Sequence, residues 1–374
     1  MTLAAHLARA AVVLGSLILG ASPVLATGEA ARGGEAARRP PAAARNDQAM
    51  QLLRAAWPGY RTRFIAEEGR VIDTANGGVS HSEGQGYAML LAVALDDRET
   101  FDRLWTWTRR ELYLREDGLA SWRWRPGDEP HVSDPNNASD GDLLIAWAHA
   151  EAWLRWQAPE HELAMASIIA AIFERTVVRT AFGPVLLPGA SGFSEGERAD
   201  GPVVNLSYWV FPALDRLQAL LPEHDWRGLR RSGLLLLRTG RFGPLRLPPE
   251  WLALGSESPA PATNFERTFS YNALRIPLYL AWSRQIGSDH LRPYANFWKQ
   301  REDVGPFVIE LETGSARERL AEPGYKMVFG LAGCVLSGQR VPLELARRPN
   351  QHYYPATLHL LTLLAISERH LQCL

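Results

Sequence analysis

The sequence predicts an all-α fold in which helical hairpins close into a toroid within a single domain. Three observations predict it. From residue 48 onward, apolar residues recur at three-and-four spacing with little interruption, as amphipathic and buried helices require. About a dozen such stretches follow one another without a break in composition, which favours one domain of paired helices. Strand signals are confined to short pieces, Arg70-Val71-Ile72 and Pro184-Val185-Leu186-Leu187. That helix count suits a ring of six hairpins or a solenoid, and the absence of a fixed-period repeat argues against the solenoid.

The first helix opens at Met50 and runs to Trp57. The second spans Glu83 to Leu95, with Tyr87, Leu90, Leu91, Ala94 and Leu95 on one face. The third, Thr100 to Leu114, carries Phe101, Leu104, Trp105 and Leu112. The runs 140–156 and 162–178 are strongly apolar, and further helices are expected over 206–220, 227–239, 271–286, 289–301, 326–336, 342–348 and 354–370. The longest irregular segments, 115–138, 181–204 and 241–268, are rich in Gly, Pro and Trp. Long loops of a compact domain often carry function, so these are expected to wall a cleft.

Residues 1–26 read as an export signal, with Arg9 ahead of the apolar run Ala10–Leu19 and a small-residue cleavage site at Val24-Leu25-Ala26. Residues 27–47 read as a flexible Ala/Gly/Pro-rich leader, and 48–374 as the folded domain. No other segment is long and apolar enough to span a bilayer, so a periplasmic or secreted protein is expected. Lys+Arg (40) and Asp+Glu (41) nearly cancel without a basic stripe, which excludes a nucleic-acid binder. Cys373 is the penultimate residue, where a frayed end makes a poor staple, so Cys334 and Cys373 are expected to be free thiols. The histidines lack ligand spacing, and neither a metal nor a cofactor is implied.

Chemistry points to two short stretches. Ser82-Glu83-Gly84-Gln85-Gly86-Tyr87 and Ala138-Ser139-Asp140-Gly141-Asp142 each set a carboxylate after a serine at a helix start. Ser82 with Gln85, and Ser139 with Asp142, fit capping boxes. Helix dipoles favour acids in a first turn, which explains either residue singly. Adjacent glycines and the apolarity of both helices instead suggest buried acid/base groups in close contact. A helix N-terminus lowers a carboxyl pKa, whereas a general acid needs a raised one, so burial or a second carboxylate would have to outweigh the dipole. Thirteen tryptophans are mostly core material, with some free to stack on the C–H faces of sugars. A third stretch, Ser270-Tyr271-Asn272-Ala273-Leu274-Arg275, has an amide where a carboxylate would fit.

These stretches resemble glycoside hydrolase family 8. The resemblance rests on Arg70-Val71-Ile72-Asp73, Ser82–Tyr87, Met89–Val93, Ala138–Ala146, Asn205-Leu206-Ser207-Tyr208-Trp209 and Tyr271–Pro277, in order along the chain. It is closest to exported endoglucanases that accompany bacterial cellulose synthases. It implies an (α/α)6 toroid that cuts β-1,4-glucan with inversion. It implies Glu83 as general acid and Asp140 as the group holding the sugar at the cleavage subsite. Tyr208 would place the attacking water, Arg275 would orient the base, and Trp122 or Trp124 would form a stacking platform beside Tyr271. The implied partners are a β-1,4-glucan chain and a cellulose-synthase complex.

The chain departs from the family pattern at Asn272, where relatives carry an aspartate base. Three accounts are open: a replacement carboxylate, with Glu257 and Glu266 as candidates; a slow hydrolase; or a glucan-binding or assembly factor that no longer cuts. Chitosan or xylan could also replace cellulose, since one fold accepts several sugar backbones.

Overall fold

The computed structural model describes residues 47–284, 286–299, 306–347 and 351–374. The expected export signal, and the expected leader apart from Asp47, lie outside these residues. Twelve α-helices are present among the described residues: α1 (Gln48–Phe64), α2 (Ser82–Ala94), α3 (Arg98–Glu111), α4 (Ser139–Trp156), α5 (Pro159–Arg175), α6 (Phe211–Leu220), α7 (Trp226–Thr239), α8 (Arg275–Trp282), α9 (Arg292–Lys299), α10 (Pro323–Ser337), α11 (Leu343–Ala346) and α12 (Tyr353–Arg369).

The even-numbered helices form a closed ring. Each of α2, α4, α6, α8, α10 and α12 touches the next, and α12 returns to α2. The odd-numbered helices lie outside: α1 packs on α12, α3 on α2, α5 on α4, α7 on α6, and both α9 and α11 on α10. This is the expected toroid of six inner and six outer helices. Burial follows the same division, because an inner helix is enclosed on every side and must be apolar all round. All 8 residues of α8 and 11 of the 13 in α2 are buried, against 5 of the 14 in outer helix α3. One continuous core runs through the ring, and a small separate cluster (Val203, Ala253 and Ala262 with Phe193, Trp251 and Phe265) lies under the long loops.

Short antiparallel ladders tie the loops together. Residues 80–81 pair with 123–124, which sets the 115–138 loop beside the start of α2. Residues 203–204, 252–253 and 260–261 form one small sheet, and 268–269, 307–310 and 316–319 another. The apolar run expected to stay helical to residue 178 stops at Arg175. Val177–Thr180 pairs instead with Gly183–Leu186 in a hairpin, where β-branched valines are better accommodated. The run 206–220 divides into a 3-10 turn, Leu206–Tyr208, and α6, which has Pro212 in its first turn.

Two sequence expectations are corrected. Neither Ser82 nor Ser139 caps its helix. Gln85 instead bonds Val71 N at 2.6 Å and Thr108 Oγ1 at 2.8 Å, while Ser139 Oγ donates to Leu187 O at 2.6 Å. The two helix starts pack on each other and on loops, so their polar groups are used in tertiary contacts.

Cys334 and Cys373 are not free: they form a disulfide between α10 and the final 3-10 turn. The chain end is held rather than frayed, since Cys373 is fully buried and its carbonyl accepts from Val341 N at 2.9 Å. The bridge closes a loop of 39 residues, for which chain entropy gives about 3–4 kcal/mol. Cys373→Ser is therefore expected to lower unfolding free energy by that amount in a urea titration. A titration unchanged by substitution or by reductant would contradict a stabilising bridge.

Candidate active site

The site is built where α2 and α4 meet. A Cβ on Gly86 would lie 2.6 Å from Leu144 Cβ, and one on Gly141 would lie 2.8 Å from the Glu83 backbone nitrogen. Only glycine permits that approach. It brings the first turns of both helices together, and with them Glu83 and Asp140.

Arg275, the first residue of α8, enters between the two carboxyls. Its Nη1 donates to Glu83 Oε2 and to Asp140 Oδ2, the latter at 2.8 Å. Its Nη2 donates to Ser207 Oγ at 2.9 Å and Asn272 Oδ1 at 3.0 Å, and Nη1 also reaches Tyr87 Oη at 3.3 Å. Arg275 and Asp140 are each 1 % exposed, whereas the Glu83 side chain keeps 23 % of its surface open to the cleft. A planar fork with five donors suits this cluster as a lysine would not.

One guanidinium faces two buried carboxyls, so the site is short of positive charge. Burial pushes the Glu83 carboxyl well above the ordinary glutamate range; Arg275 opposes this, and Asp140 adds to it. Burial and the Asp140 charge thus both act in the direction a general acid needs, opposite to the lowering expected at a helix start. Asp142, two residues further along α4, is also held up, to about 7, chiefly by burial. It accepts from Ala120 N at 2.8 Å and Asn137 Nδ2 at 2.9 Å, fixing the 115–138 loop to the helix.

The carboxyls open into a cleft of about 830 Å³ walled by residues from all three long loops, among them Trp122, Asn137, Phe193, Trp251 and Phe265. Glu83, Asp140, Tyr208, Tyr271, Asn272 and Trp122 all line it. The Trp122 ring lies against His81, with centroids 6.0 Å apart, and its Nε1 donates to Asp134 Oδ2 at 2.8 Å. Trp124 is not brought there: it packs on Trp107 and His131, with centroids 5.9 and 4.3 Å away. Tyr208 lies under Arg275, whose Cζ is 5.8 Å from its ring centroid. Tyr271 is partly exposed and donates to Glu318 at 2.8 Å.

Neither carboxylate considered as a replacement base lines the cleft. Glu266 pairs with Arg317 at 3.1 Å and Glu257 is exposed. Sequence reasoning missed Glu250, whose Oε1 accepts from Asn272 N at 2.7 Å. It also missed Ser207 and the face-to-face aromatics Phe193, Trp251 and Phe265. Ser207 lies inside a quoted block, but Glu250 carries no periodic or motif signal. Among the described residues no group of three ligands could hold a metal.

A family model for glycosyl hydrolases family 8 matches residues 41–367. A probable endoglucanase of Novacetimonas hansenii is 37% identical over 325 residues, covering 86% of this chain and 93% of the relative. An endo-β-1,4-glucanase from Acetobacter xylinum superposes with TM-score 0.77 at 37% identity, over 85% of this chain and 98% of that one. A family 8 endoglucanase from Klebsiella pneumoniae gives TM-score 0.77 at 37% identity, over 84% and 100%.

Two outcomes are expected from this geometry. Trp122→Ala should weaken cello-oligosaccharide binding, measured by calorimetry, with little change in melting temperature, and Trp124→Ala should do the reverse. Equal effects on both properties in the two variants would contradict the assignment. Arg275→Met leaves two buried carboxyls without their counter-charge and is expected to cost about 3–5 kcal/mol in denaturant unfolding. A loss below about 1 kcal/mol would show the cluster to be solvated.

Proposed function

The chain belongs to glycosyl hydrolase family 8, and we propose that it is an exported endoglucanase that cuts internal β-1,4 bonds of a cellulose-type glucan with inversion. The observation that carries the reading is Glu83: a carboxyl held above its ordinary pKa by burial, opening into a long aromatic-walled cleft, with Asp140 beside it. The endoglucanases among its relatives and structural neighbours support the substrate class.

In this mechanism Glu83 donates its proton to the leaving glycosidic oxygen as the C1–O bond breaks. The leaving oxygen gains negative charge as the bond breaks, so Glu83 must carry a proton there, while the carboxylate of the Arg275–Asp140 pair suits the positive charge that develops on the sugar ring. Asp140, bonded to Arg275 and to Gly141 N at 2.8 Å, is rigid enough to hold a sugar hydroxyl. Trp122 stacks on a neighbouring ring, and Tyr208 places the attacking water. The export signal expected over residues 1–26 supports a periplasmic or secreted location, where a nascent glucan chain and a cellulose-synthase complex are the partners to seek.

One observation favours a second reading. Asn272 lines the cleft where the resemblance to the family implies an aspartate base, and an amide is a poor acceptor. On that reading the protein binds glucan within a secretion complex without cutting it. Reducing-end release from carboxymethylcellulose decides between them. Hydrolysis by the natural chain, lowered on the order of 10²–10⁴-fold or more in Glu83→Gln with folding intact, is expected of the enzyme. Absence of cleavage together with retained oligosaccharide binding is expected of the binder. Because Glu83 must be protonated and is held high, the enzyme's rate should persist through neutral pH and fall on the alkaline side as Glu83 ionises. A rate already falling above pH about 4.5, an ordinary glutamate's pKa, would contradict its role.

A further inference from the structure

An inverting step needs a proton acceptor on the sugar face opposite Glu83, and an amide cannot keep that proton at neutral pH. The structure sets a carboxylate immediately behind the amide. Glu250, half-buried in the loop between α7 and α8, accepts the Asn272 backbone N–H at 2.7 Å, and the Asn272 side chain lies close enough to favour its charged form. Burial makes Glu250 hold a proton more readily than an ordinary glutamate, while Asn272 and Arg275 restrain the shift.

The amide is also oriented. Arg275 Nη2 donates to Asn272 Oδ1 at 3.0 Å, which turns the Asn272 NH₂ away from the guanidinium. A carbonyl oxygen has two lone pairs, so Oδ1 keeps one for a water in the cleft that Asn272 lines. Asp73, Asp134 and Glu322 also line the cleft, but among the described residues Glu250 is the carboxylate that bonds Asn272. Asp140 is committed to Arg275 on the Glu83 side, Glu266 to Arg317, and Glu257 is turned to solvent.

We propose that Glu250 is the final proton acceptor of the hydrolysis, reached through the Asn272 side-chain amide. The proposal rests on the glucanase reading above. As water oxygen bonds to the anomeric carbon, its proton passes to Asn272 Oδ1, and an Nδ2 proton passes to Glu250. On the other face the glycosidic C–O bond breaks and its oxygen takes the Glu83 proton. The amide is left as its imidic tautomer and reverts when the proton returns from Glu250. Solvent then reprotonates Glu83 and takes up the proton from the base side. No oxidant or further reactant is needed. Glu250 is not among the residues that line the cleft, so it acts as a relay and positioning group.

The test is the pH dependence of kcat and KM on carboxymethylcellulose for the natural protein, Glu250→Gln, Asn272→Asp and the double variant. Glutamine still accepts the Asn272 N–H, so the loop is retained. Glu250→Gln is expected to lower kcat about 10²–10⁴-fold with KM little changed, and to remove the fall in rate on the acid side. Adding Asn272→Asp to Glu250→Gln is expected to restore kcat to within about tenfold of Asn272→Asp alone, because a carboxylate then meets the water directly.

The proposal is overturned if Glu250→Gln stays within about threefold of the natural protein and keeps its acid limb. It is overturned equally if the double variant stays as slow as Glu250→Gln while Asn272→Asp is active, or if only Asn272→Asp and not the natural chain cuts. If neither the natural chain nor Asn272→Asp cuts, the glucanase reading itself has failed.

Discussion

The buried guanidinium of Arg275 is the interaction on which the site depends. It begins one inner helix, α8, and bonds the first turns of two others, α2 and α4, through Glu83 and Asp140. Through Ser207 it also holds the turn that leads into α6. Four consecutive inner helices thus converge on one cation. An ion cluster of this kind contributes little net stability compared with an apolar replacement, but removing one partner leaves uncompensated charge. Its value here is geometric, since it fixes Glu83, Asp140 and Asn272 within one hydrogen-bonded set.

That set also brings dipole and burial into opposition at one carboxyl. Glu83 sits where a helix N-terminus favours the carboxylate. Yet α2 is enclosed on all sides, and a second carboxyl stands beside it with only one cation to share. Burial, the largest influence on this carboxyl, favours its protonated form. The glycines make this possible: without Gly86 and Gly141 the two helix starts would stand apart, and Glu83 would gain solvent and lose its neighbour.

Much of this was legible in the sequence, for local reasons. Glu83 and Asp140 stand out because a helix start, a carboxylate and a glycine fall within a few residues. The ring of helices is visible because enclosed helices are apolar all round while outer ones alternate. What was hidden depends on tertiary contact. Glu250 meets Asn272 across a separation of 22 residues, through loops and short strands with no period to reveal it. Trp122 and Trp124 look alike in sequence, and only the packing of Trp107 and His131 shows that the second is set against the core rather than in the cleft. The disulfide was missed because a penultimate cysteine gives no sign that the chain end is buried. The capping-box pattern misled because Gln85 and Ser139 bond loops rather than helix ends.

The central claim is that the protein holds Glu83 protonated near neutral pH. The most direct test is a carbon-13 NMR titration of glutamate carboxyls, comparing the natural chain with Glu83→Gln. The account predicts one resonance that titrates well above pH about 4.5, the ordinary value for a free glutamate side chain, and that disappears in the variant. If every resonance lost in Glu83→Gln titrates at or below that value, Glu83 is an ordinary carboxylate and the account of the site is wrong.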